Sequence, residues 1–202
     1  MDAVWLRRSE LAFAEMLAES GVELIQYRNK QISSRNLLLI SRNLVASLGS
    51  RGVRVIVNDR PDIAALAGAG GVHVGQEDLP VEPARAICGR GCWVGVSTHS
   101  LDQVREAAAT SADYIAIGPI SSTATKQRLD PVVGVDFIRR ARAITPKPLV
   151  AIGGITLERA EEVFRAGADS VAVAQDLFVA PDPVQRARDF LSLAARVLAT
   201  RN

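Results

Sequence analysis

The stretch "STATKQ", residues 122–127, follows directly on the apolar run "YIAIGPI". Thr123 and Thr125 offer hydroxyl donors and Lys126 a fixed positive charge, a set suited to closing on an anionic ligand. A second abrupt change from apolar to polar occurs at "QYRNK". Alternate residues of an extended chain share a face, so Gln26, Arg28 and Lys30 project together while Tyr27 and Asn29 point the other way. The planar fork of Arg and the point charge of Lys suit a polyphosphate, although both residues also serve as ordinary solvated strand ends.

Carboxylates appear at the next two changes, "VIVNDR" and "VHVGQED". Asp59 and Asp78 lie just past two apolar runs that are consecutive in the chain. If those runs are neighbouring strands, about 4.8 Å apart, the two carboxylates can share a Mg²⁺ that takes its other ligands from water and phosphate oxygens. Each Asp alone also fits a turn or a helix cap. "GVSTHS" brings Ser97, Thr98 and His99, with Ser100 placed to cap a following helix. A hydrolase is excluded here: no G-x-S-x-G elbow is present, and residues two apart in an extended run do not make a nucleophile–base contact. Ser97 is read as a hydroxyl donor to phosphate and His99 as structural. "AIGGIT" sets Gly153 and Gly154 at a strand-to-helix turn, and "VAVAQD" does the same for Ala174 and Gln175, where bare backbone N–H groups can hold a phosphate.

These residues need a scaffold that gathers strand ends. Val- and Ile-rich runs recur as "VELIQYR", "VRVIVND", "GGVHVGQ", "CWVGVST", "DYIAIGP", "PLVAIGG" and "DSVAVAQ". Between them lie amphipathic segments such as "SLDQVREAAATSA" and "TLERAEEVFRAGA", with apolar positions every three or four residues. The order is βαβα, and continuous apolar strands imply a parallel sheet covered by helices. An open doubly wound sheet would collect polar function at one crevice, whereas polar residues end nearly every strand here, which favours an α/β (β/α)₈ TIM barrel. Seven strands are counted. The chain opens on a helical pattern, "WLRRSELAFAEMLAES", so the first strand of an eightfold barrel is expected to be missing.

With 202 residues and 48% hydrophobic content, the chain is expected to form one domain over 1–202. Its 24 basic and 22 acidic residues nearly cancel, leaving no basic stripe for nucleic acid. No apolar run reaches the roughly 18 residues that span a bilayer, and the N-terminus lacks a secretion pattern, so a cytoplasmic location without membrane contact is expected. Cys88 and Cys92 lie four apart with no second Cys or His pair at zinc spacing, and are read as reduced structural thiols. Self-association into a homo-oligomer is left open.

In order and spacing, "QYRNK", "NDR", "GVHVGQEDLP", "GVSTHS", "GPISSTATK" and "AIGGI" resemble the thiamine-phosphate synthase family, over residues 21–173. The resemblance implies a (β/α)₈ transferase that joins hydroxymethylpyrimidine diphosphate to a thiazole phosphate with Mg²⁺, giving thiamine monophosphate and pyrophosphate. It assigns the pyrimidine diphosphate to Gln26, Arg28, Lys30, Asn58, Ser97 and Lys126, and the metal to Asp59 and Asp78. The thiazole phosphate falls to Thr123, Thr125, Gly154, Ala174 and Gln175. Arg28, Lys30 and Lys126 take the catalytic role of balancing leaving-group charge. Gln175 stands where the family commonly has Ser, a change that a backbone N–H contact survives. The family's first strand, which ends near an Asp, has no evident counterpart before Trp5, so the expectation is a start upstream of the one given or an incomplete barrel. A thiazole tautomerase-like isomerase and a noncatalytic phosphate-binding barrel are the alternative readings.

Overall fold

The computed structural model describes residues 1–3, 9–122 and 131–201. Two compact units divide the chain, residues 1–95 and 96–202. The first holds α1 (Glu10–Glu19), β1 (Leu24–Tyr27), α2 (Ser34–Gly49), β2 (Arg54–Asn58), α3 (Pro61–Ala67), β3 (Gly71–Val74) and α4 (Val81–Cys88). Strand β4 (Trp93–Thr98) runs through the boundary. The second holds α5 (Leu101–Ala108), β5 (Tyr114–Ile117), α6 (Val135–Arg142), β6 (Leu149–Ile152), α7 (Leu157–Arg165), β7 (Ser170–Ala172), α8 (Gln175–Val179) and α9 (Pro183–Ala199).

All seven runs singled out in the sequence form strands, hydrogen-bonded as neighbours in chain order from β1 to β7. A doubly wound sheet reverses its order partway; an in-order sheet of parallel strands is the barrel type. In the first unit Leu24 pairs with Arg54 and Ile56 with Gly71. In the second, Ile115 pairs with Leu149 and Val150 with Ser170.

Burial explains why these segments became strands. Val55, Ile56 and Val57 of β2 are buried, as is every residue of β3 and β5. The short β7 departs from the continuous-core expectation, with Ser170 and Ala172 exposed. Where β3 begins, a Cβ on Gly71 would lie 2.5 Å from Ile56 Cδ1 and 2.7 Å from the Trp93 carbonyl oxygen, so only glycine lets the strands close up. Helix starts follow local chemistry: the side chains of Ser9, Ser33, Ser100 and Asp182 accept from backbone N–H groups in the first turns of α1, α2, α5 and α9.

Residues 1–3 carry a finding that the sequence did not disclose. Asp2 forms a parallel bridge with Arg28, the Ala3 N–H donates to the Arg28 carbonyl at 3.0 Å, and the Arg28 N–H donates to the Met1 carbonyl at 3.0 Å. Among the described residues the sheet has the seven strands expected, and residues 1–3 add only an isolated bridge just past the end of β1.

At the opposite ends of the second unit's strands, Asp169 is a hub. Its carboxylate accepts from the Leu149 N–H at 2.8 Å and pairs with Arg142 at 2.7 Å and Arg201 at 2.5 Å. Arg142 also donates to the Lys147 carbonyl at 2.6 Å, and Lys147 Nζ to the Ala112 carbonyl at 2.8 Å.

Candidate functional site

At the C-terminal ends of β1, β2 and β3, side chains dominate. Gln26 Nε2 donates to Asn58 Oδ1 at 3.1 Å, tying the last turn of one strand to the next. Tyr27 takes the opposite face, as strand alternation requires: it is fully buried, its hydroxyl donates to Glu10 Oε1 at 3.3 Å and accepts from Asn29 Nδ2 at 3.4 Å. Burial pushes the Tyr27 phenol up to about 12, so it stays neutral.

The two cations that follow Tyr27 have separate carboxylate partners. Arg28 Nη1 pairs with Asp2, and Lys30 Nζ with Asp59 Oδ2 at 2.6 Å. Asp59 sits with φ 63, in the left-handed region that Asp tolerates better than most residues, and its N–H donates to the His73 carbonyl at 2.7 Å. Asp78 accepts from the Gly75 N–H at 2.8 Å. Burial, then a hydrogen bond and charge repulsion from Asp59, hold the Asp78 carboxyl above the usual carboxylate range, partly offset by Gly75 N–H and Lys30.

Asp59 is thus the neighbouring carboxylate that, after burial, acts most strongly on Asp78. Two like charges brought together in partial burial are relieved by a hard cation with oxygen ligands. Among the described residues no cluster of three or more His, Cys, Asp or Glu side chains could hold a metal. Two such carboxylates have the oxygen ligands a hard divalent cation takes when it keeps most of its shell for water and phosphate.

At the strand ends of the second unit, backbone dominates. Ser97 is buried at 5% exposure, and the neighbouring Thr98 hydroxyl donates to the Ala116 carbonyl at 3.0 Å. His99 Nδ1 lies 2.5 Å from the Gly118 carbonyl oxygen and its N–H donates to Gln103 Oε1 at 2.6 Å, consistent with the structural role expected of it. The residues after β5 are stitched to the end of β6: the Ile120 N–H donates to the Ile152 carbonyl at 2.9 Å and the Ser121 N–H to the Gly153 carbonyl at 3.0 Å.

This stitching explains the glycine pair. Gly153 and Gly154 have φ of 83 and 65, and a Cβ on Gly154 would lie 2.5 Å from the Ser122 carbonyl oxygen. Further on, Gln175 opens α8, and Ala174 accepts from the N–H groups of Leu177 and Phe178 at 3.1 Å each. Thr123, Thr125 and Lys126 lie outside the described residues. Asp176 was not singled out in the sequence; its carboxylate accepts from the Leu157 N–H at 3.3 Å, at the start of a helix whose Thr156 side chain makes no cap bond. Asp2 also escaped notice, because three residues carry no periodicity.

Comparison with known proteins supplies the family. The family model described as thiamine monophosphate synthase matches residues 2–177. A thiamine-phosphate synthase of Koribacter versatilis is 51% identical over 181 residues, covering 90% of this chain and 84% of that protein. A thiamine-phosphate synthase of Chloroflexus aurantiacus is 39% identical over 188 residues, covering 93% of this chain and 87% of that protein. The Thermosynechococcus vestitus relative of the same description, 42% identical over 90% of this chain, is longer, and the match covers 51% of it. Among solved structures, a thiamine phosphate pyrophosphorylase from Pyrococcus furiosus superposes with a TM-score of 0.89 at 29% identity, covering 98% of this chain and 94% of that one. A 3-hexulose-6-phosphate synthase, at TM-score 0.70 and 19% identity over 91% of this chain and 92% of that one, shares the fold. With in-order parallel strands already established, the match over residues 2–177 shows that the chain belongs to the thiamine monophosphate synthase family.

Proposed function

We propose that the chain couples hydroxymethylpyrimidine diphosphate with thiazole phosphate, releasing pyrophosphate and forming thiamine monophosphate. The observation that carries this reading is the interacting carboxylates Asp59 and Asp78, with Lys30 paired to Asp59, at strand ends of a chain in this family. The carbon–oxygen bond to the diphosphate breaks as the pyrimidine amino group feeds electrons toward the departing carbon. The thiazole nitrogen then forms the new bond to that carbon, and the bonding pair leaves with pyrophosphate. No protein nucleophile is needed.

The chain's own residues bind and orient. Gln26 and Asn58, already locked to each other, hold the pyrimidine side, with Ser97 as a further hydroxyl donor. Arg28, Lys30 and Lys126 balance charge on the leaving diphosphate. Thr123 and Thr125, with backbone at Gly154, Ala174 and Gln175, hold the thiazole phosphate. Asp59 and Asp78 would hold Mg²⁺, which when bound neutralises the phosphate oxygens. The local charge supports this need: among the described residues Arg28 pairs with Asp2 and Lys30 with Asp59, so a divalent cation at Asp59 and Asp78 would make this strand end more attractive to a polyanion.

The reading keeps residues 1–202 as one functional domain acting on small phosphorylated molecules in the cytoplasm. No helix among the described residues is long and apolar enough to cross a membrane. The test is a coupled pyrophosphate-release assay with both substrates and Mg²⁺. Turnover that requires all three supports the synthase, and Lys126→Ala should then lower it by roughly 10²–10³-fold. Binding of both substrates without pyrophosphate release would reject it in favour of a phosphate-binding barrel.

A further inference from the structure

We infer that Asp2 is a positioning residue: paired just past the end of β1, it holds the Arg28 guanidinium in the orientation that receives the diphosphate. The inference rests on the reading given under Proposed function, and extends it to a residue outside every motif that the sequence analysis used.

The geometry is set by register. The N–H and carbonyl of Arg28 bond to Met1 and Ala3, which leaves Asp2 directly opposite Arg28. Partners in a parallel bridge send their side chains to the same face, so the ion pair follows from the backbone. A slip of one residue would set Met1 or Ala3 there instead and abolish it.

Burial gives the pair its weight. The Asp2 side chain is 6% exposed and that of Arg28 23%, whereas Lys30 is 58% exposed beside Asp59. A surface ion pair holds neither partner in place, but a buried carboxylate is costly unless it stays paired. The long Arg side chain has many rotamers to lose, and a fixed partner on one edge of its fork pre-orients the rest. Lys30 leans on Asp59, one of the proposed metal carboxylates, so a change at Asp2 leaves that carboxylate pair intact.

Positioning and simple neutralisation predict opposite signs. If Asp2 only cancelled the charge of Arg28, removing it would tighten binding of an anion. If it positions Arg28, removing it loosens binding. Steady-state pyrophosphate release should show KM for the pyrimidine diphosphate raised about tenfold in Asp2→Asn, with kcat within about threefold of the unsubstituted chain. Calorimetric titration with inorganic pyrophosphate and Mg²⁺ should weaken in parallel. In Arg28→Lys, adding Asp2→Asn should change KM by less than about twofold, because the planar fork that Asp2 orients is already gone.

Unchanged or lowered KM in Asp2→Asn overturns the inference, and so does an equal KM increase in the Arg28→Lys background. Should Asp2→Asn fail to fold, Asp2→Glu keeps the charge while moving the carboxylate by one methylene; a KM raised at least about threefold with an unchanged melting temperature supports positioning, and an unshifted KM overturns it. If the unsubstituted chain neither binds pyrophosphate nor releases it, the reading under Proposed function falls, and this inference with it. Normal turnover with no shift in the variants sinks this inference alone.

Discussion

The strand ends of residues 1–95 and those of residues 96–202 are built from different materials. In the first unit, Arg28, Lys30, Asp59 and Asp78 bring charged side chains together on Asp2 and on one another. In the second, Gly153 and Gly154 press backbone against backbone, and hydrogen bonds from Ile120 and Ser121 fix the approach. The first arrangement stores electrostatic tension that a ligand can release; the second is set by shape. Substitutions should therefore affect the two units with opposite signs on stability.

The largest effect is expected at Asp78. Asp78→Asn should lower pyrophosphate release by roughly 10²–10³-fold, as for loss of one main charge-stabilising group. The same change should raise the melting temperature in divalent-free buffer at neutral pH, because it removes a carboxylate held unfavourably by burial and by Asp59. With its pKa raised in the fold, Asp78 keeps a proton that the unfolded chain has already released. Stability accordingly falls as pH rises from about 4 through the native pKa, and Asp78→Asn should flatten that part of the profile. Melting curves between pH 4 and pH 8 check both statements, and a lower melting temperature in the variant would break the contrast between the units.

Gly154→Ala comes next, and with the opposite sign on stability. Its φ of 65 and the 2.5 Å approach to the Ser122 carbonyl oxygen make any side chain a clash with backbone. A loss of about 1–3 kcal/mol in urea unfolding is expected, with turnover reduced as well. Equal stability would mean that the two loops can separate without cost.

The smallest effect on stability is expected at Lys30. Its exposure limits the ion pair with Asp59, so Lys30→Met should change unfolding free energy by less than about 1 kcal/mol. KM for the diphosphate substrate should nevertheless rise by about tenfold if Lys30 holds the diphosphate as proposed. Chemical denaturation run beside initial-rate kinetics separates the two quantities.

Much of this contrast was legible before any coordinates. Seven Val- and Ile-rich runs named seven strands, since buried parallel strands leave a continuous apolar signature. The period of two sorted Gln26 and Arg28 from Tyr27, and the serine before "LDQV" marked the cap of α5. Long-range facts stayed hidden. The bond between Asp2 and Arg28 joins residues 26 apart, and no local pattern reports it. The glycine pair was read as a phosphate cradle because turns with bare N–H groups look alike in sequence; that it also fits against Pro119 and Ser122 depends on a loop more than thirty residues earlier. Thr123, Thr125 and Lys126 were named from residue type alone and lie outside the described residues.

The hub around Asp169 has a practical consequence. Arg142, Lys147 and Arg201 fasten carbonyl groups and one carboxylate at the ends of the strands where no candidate ligand group lies. This hub's share of thermal robustness is thus carried by residues apart from the candidate site, and an engineer could toughen the enzyme there, for instance by tightening the α9 anchor at Arg201, without touching Asp78 or Gly154.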